Sequence, residues 1–70
     1  MAGSDFYGKL NKAASFLQLT AYELTNNMDE ARMLYLETVY LAEKRKKNLK
    51  PGNDFKKWIG NIMKSAFTAR

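Results

Sequence analysis

Apolar residues recur at steps of three and four along almost the whole chain, and the rhythm breaks in only two places. From residue 5 to 25 the stripe is Phe6, Leu10, Ala13, Ala14, Leu17, Ala21 and Leu24, with Leu19 and Tyr22 pointing away and Phe16 at its flank. From 28 to 47 it is Ala31, Leu34, Tyr35, Thr38, Leu41 and Ala42, with Val39 at the edge. From 54 to 68 it is Phe55, Trp58, Ile59, Ile62 and Ala66, with Met63 at the edge. That is the period of a helix with one buried face. The first break is Asn26-Asn27, where Asn tolerates the left-handed backbone of a turn. The second surrounds Pro51-Gly52: proline biases Lys50 away from helical backbone, and glycine permits a sharp turn. No alternating strand pattern, internal repeat or low-complexity segment is present. The expected fold is all-α, a three-helix bundle with helices at about 5–25, 28–47 and 54–68. A chain of 70 residues supports one domain with one small core.

End signals agree with this reading. Asp5, or alternatively Ser4, is placed to cap the first helix, and Asn53 to cap the third, with Asp54 in its first turn. Asp29 and Glu30 open the second helix and a lysine run closes it, which suits the helix dipole. The first four residues, MAGS, fit no pattern and read as an expression remnant or a disordered N-terminus.

What the chain lacks narrows its chemistry. It has no cysteine and no histidine. Disulfides, thiolate metal sites and the commonest general base are therefore excluded. Glu30 and Glu37 lie two turns apart on one helix, too far to work as an acid/base pair. No phosphate-binding glycine loop or metal-ligand spacing is found. The expectation is a protein that is not an enzyme and needs no cofactor or metal. No apolar run nears the roughly 20 residues of a membrane span, and no secretory signal opens the chain.

Charge is unevenly spread. Residues 1–43 hold three basic and six acidic groups, net −3, and residues 44–70 hold nine basic groups and one acidic, net +8. Such a split points to a polyanion partner for the C-terminal part. The basic groups cluster in EKRKKNLKPGNDFKKW, residues 43–58. A solvated helix end would also carry lysines, on dipole grounds alone. The second helix is apolar on its outer side too: Met33, Leu36 and Tyr40 share that face with Asp29, Glu37 and Lys44. Either another part of the chain covers this face, or it meets a protein partner.

Three segments carry a family resemblance. Ala21-Tyr22-Glu23-Leu24-Thr25-Asn26-Asn27 resembles the A-Y-x-L-T-x-N segment of bacterial RNA polymerase sigma factors of the extracytoplasmic-function class. Asp29-Glu30-Ala31, with Leu34, Glu37 and Thr38, is similar to their (E/D)-D-A-E-D-L-V-Q-E-T-F helix. Pro51-Gly52-Asn53-Asp54-Phe55-Lys56-Lys57-Trp58-Ile59, followed by Ile62-Met63-Lys64, looks like their P-G-T-N-F-K-A-W-L…I-M-R run. The three occur in the family's order and spacing, from Ala21 to Lys64. Met33 stands where the family motif has an acidic residue, and Leu36 where it has glutamine.

The resemblance implies the region-two domain of a sigma factor, cytoplasmic and bacterial. One side would hold the core RNA polymerase clamp. The other would recognise and melt the minus-ten promoter element through its non-template strand. An anti-sigma factor is a candidate further partner. A complete factor continues into a helix-turn-helix domain, which these residues do not include. The candidate DNA-binding residues are Lys46, Lys47, Asn48, Lys50, Asn53, Lys56, Lys57, Trp58, Asn61 and Lys64. Lysines would position a strand, whereas the asparagines and an aromatic would have to read it. For Trp58, a core place beside Phe55 and Ile62 is the simpler assignment, and its wide indole is compatible with both. The candidate polymerase-binding residues are Asp29, Glu30, Met33, Leu36, Glu37 and Tyr40. The alternative is a protein-interaction bundle of the same fold that uses this outer face and does not bind DNA.

Overall fold

Asn26 adopts φ 53°, the left-handed conformation expected of it, and its N–H donates to the carbonyl of Tyr22 over 2.7 Å. This closes the last turn of the first helix. Asn27 is extended, and its Oδ1 accepts the Glu30 N–H at 3.0 Å. One residue thus ends a helix and the next caps the following one, so the chain reverses within two positions. The capping role of Asn27 extends the sequence reading, which took both asparagines only as a turn.

The computed structural model describes residues 2–49 and 54–69, with side chains from residue 6 onward. It contains α1 (Ala2–Thr25), α2 (Met28–Arg45), a 3-10 turn (Lys46–Asn48) and α3 (Phe55–Thr68). The molecule is the expected all-α three-helix bundle. Three boundaries differ from expectation. α1 begins at Ala2, so Ser4 and Asp5 lie inside its first turns and do not cap it. Its start is anchored by Phe6, which is buried and packs edge-on to Phe55 of α3. α2 ends at Arg45, and the three residues that follow tighten into the 3-10 turn that helix ends often adopt. Finally, Asp54 is the cap of α3, not a residue of its first turn. Its carboxylate accepts the Lys56 and Lys57 N–H groups at 3.1 and 3.4 Å.

The core follows the sequence stripes. Leu17, Leu34, Ile59 and Met63 are fully buried, one or two from each helix. Met63, expected at the edge, is therefore central. Thr38 is buried among them, and its hydroxyl donates to the Leu34 carbonyl at 2.7 Å, which satisfies a polar group that would otherwise be costly. Gly60, which is not part of the apolar stripe of α3, is buried as well. Phe16 of α1 reaches across to it, so two ring carbons would lie within ordinary contact of a Cβ at that position. Among the described residues, no buried side-chain polar atom lacks a partner. No helix in this set is long and apolar enough to cross a membrane.

Candidate functional site

The basic end of the bundle is built on aromatic rings. Phe6 lies 6.0 Å from Phe55 and 5.2 Å from Tyr7, both edge-on, and Phe55 lies 5.7 Å from Trp58. Such pairs prefer tilted and edge-on geometry because of the ring quadrupole. The Lys46 ammonium sits 5.7 Å from the centroids of both Phe6 and Tyr7, within the range of cation–π attraction. Tyr7 also donates its phenolic O–H to Glu43. That bond holds the Tyr7 hydroxyl above its ordinary pKa, aided by partial desolvation and by the carboxylate's charge. Phe6 is thus a common neighbour of the 3-10 turn and of the first residue of α3. The start of α1 fixes both ends of the basic segment.

Most of the described candidate DNA-binding residues are exposed. Lys46, Lys47 and Asn48 present the 3-10 turn to solvent, and Lys57, Asn61 and Lys64 recur at steps of four and three along α3. This spacing makes one exposed stripe about 10 Å long. Lys56 does not join it: its ammonium lies over the Phe16 ring at 5.9 Å, toward α1. Trp58 is half-buried at the margin of the core, so both assignments made for it keep a share of the ring. Lys50 and Asn53, with Pro51 and Gly52, lie outside the described residues.

The second candidate face is also open. Asp29, Met33, Leu36 and Tyr40 recur at steps of four, three and four, and Glu30 and Glu37 flank them; all six are exposed. Met33, Leu36 and Tyr40 are 62%, 60% and 57% exposed, which decides against their being covered by α1. Lys44 extends the stripe, with its ammonium 4.8 Å from the Tyr40 ring centroid. Sequence reasoning did not anticipate a shallow groove of about 240 Å³ lined by Gln18, Tyr22, Met28, Ala31, Arg32 and Tyr35. Its lining comes from α1 and α2 on either side of the Asn26-Asn27 turn, and Met28, one of the lining residues, is highly exposed. Among the described residues, no group of three or more carboxylates could hold a metal ion. In comparisons with protein-family models, curated proteins and solved structures, none matches this chain.

Proposed function

We propose that this chain is a sigma-factor-type transcription initiation domain, acting in the bacterial cytoplasm and not itself an enzyme. In this reading it binds core RNA polymerase and recognises and melts the minus-ten promoter element. The observation that carries the reading is the ordered set of three motif segments from Ala21 to Lys64. Its geometry is compatible: the exposed lysines of the 3-10 turn and the Lys57/Asn61/Lys64 stripe flank the segment that would read the strand. Lys46, Lys47, Lys50 and Lys57 would hold the non-template strand through its phosphates. Asn48, Asn53 and Asn61 can offer amides to base edges, and Trp58 a partly open ring.

The test is titration of a single-stranded minus-ten-like oligonucleotide across a salt series. Each neutralised phosphate contributes a slope of about −0.7 in log K against log salt. Changing Lys46, Lys47 and Lys50 together to Gln should weaken binding and reduce the slope by roughly 2. Absence of affinity at low salt, or indifference to the triple change, sinks the DNA reading.

A protein-interaction bundle without DNA binding is the second reading, favoured by the uncovered Met33, Leu36 and Tyr40. Polymerase binding that is lost on Tyr40→Glu and kept in the triple lysine variant, with no oligonucleotide affinity, would select it.

A further inference from the structure

The outer stripe of α2 carries opposite charges at its two ends. Asp29 and Glu30 stand in its first turn and Lys44 in its last, with Met33, Leu36 and Tyr40 exposed between them. A uniformly acidic partner would be repelled at one end, and a uniformly basic partner at the other. The stripe is complementary to a surface with the same residues in reverse order, which a second copy of this chain provides. We propose that α2 pairs antiparallel with α2 of a second copy about a two-fold axis beside Leu36 and Glu37.

One register satisfies the whole stripe. Asp29 lies opposite the partner's Lys44, Met33 opposite the partner's Tyr40, and the two Leu36 side chains flank the axis. Two-fold symmetry repeats each pairing, as an isologous interface requires. A parallel pairing would instead set acid against acid and lysine against lysine. The α2 helix has 18 residues, or about 27 Å, and one face of that length falls below the roughly 800 Å² per partner of a standard interface. The dimer is therefore weak and concentration-dependent. In this register Glu37 lies opposite the partner's Leu36, beside the axis. The same face is the candidate polymerase contact, so self-pairing and partner docking exclude each other. The pairing itself does not depend on the promoter reading.

Sedimentation equilibrium of the whole chain tests this over concentrations of roughly 10 µM to 1 mM, where a small interface associates. The average mass should climb from 8.1 kDa toward twice that value. Leu36→Glu should abolish the rise. Asp29→Lys and Lys44→Glu should each weaken association about tenfold, since each removes two exposed ion pairs and creates two repulsions. The double variant Asp29→Lys/Lys44→Glu should recover it. The recovery cannot be an effect on the fold. Asp29 and Lys44 are about 22 Å apart along one helix and cannot meet within a chain. Circular dichroism checks that each variant stays helical. A monomer at every concentration, or a double variant as weak as its parents, overturns the proposal. So does a dimer indifferent to Leu36→Glu.

Discussion

Tyr7 and Glu43 are 36 positions apart, yet their side chains share a proton donor and acceptor at the basic end of the bundle. The bond raises the Tyr7 pKa above its ordinary 10.0. A group whose folded pKa is raised contributes stability that is fully present below the unfolded value and is lost as pH rises through the folded one. The Tyr7 contribution should therefore be present and constant around neutral pH and decline above about pH 10. The Tyr7→Phe protein should lack that share of the decline, and the difference between the two unfolding curves isolates it from lysine titration. Gly60 offers a different residue-scale test. Helical backbone gains from Ala over Gly, and a Cβ here would meet the Phe16 ring at 3.7 Å, an ordinary contact. Gly60→Ala should stabilise the protein by about 0.5–1 kcal/mol. Thermal unfolding should show this as a rise of roughly 2–8 °C. That Gly60 is buried was not legible in the sequence. A helical wheel gives the angle of a residue, but Phe16 covers this one from another helix.

Each helix carries an apolar stripe at the helical period and is bounded by turn residues, and for that reason element number, type and approximate length were legible. The ends were less so, because several polar residues compete for each cap. At α3, both Asn53 and Asp54 are suitable by type. Backbone geometry decides: Asp54 is extended at φ −73°, ψ 109°, and its carboxylate points back along the helix to two N–H groups. Asp54→Ala should cost about 1 kcal/mol, detectable as a lower denaturant midpoint at unchanged slope. Asp54→Asn should retain most of the stability, since Asn caps equally well. For α2 the informative element property is its outer side. The sequence showed that the side is apolar, and its exposure follows from α1 and α3 both packing elsewhere on the helix.

Across the whole molecule, charge and core are arranged with little overlap. The stripes that pack together read directly from residue spacing, and so did the concentration of lysines beyond residue 43. The aromatic foundation of the basic end did not, because Phe6 and Phe55 become neighbours only when α1 and α3 associate. Contacts this distant in sequence leave no periodic trace. The Asp54 cap has a further consequence for the basic end. The N-terminus of a helix is an inherent seat for phosphate, with free N–H groups and a favourable dipole. At α3 that seat is already occupied by the chain's own carboxylate. A nucleic acid reaching this end must compete with an internal anion for those N–H groups or leave them alone. A phosphate at this end would therefore have to be met by lysine ammonium groups, and two of those, on Lys46 and Lys56, already lie over aromatic rings.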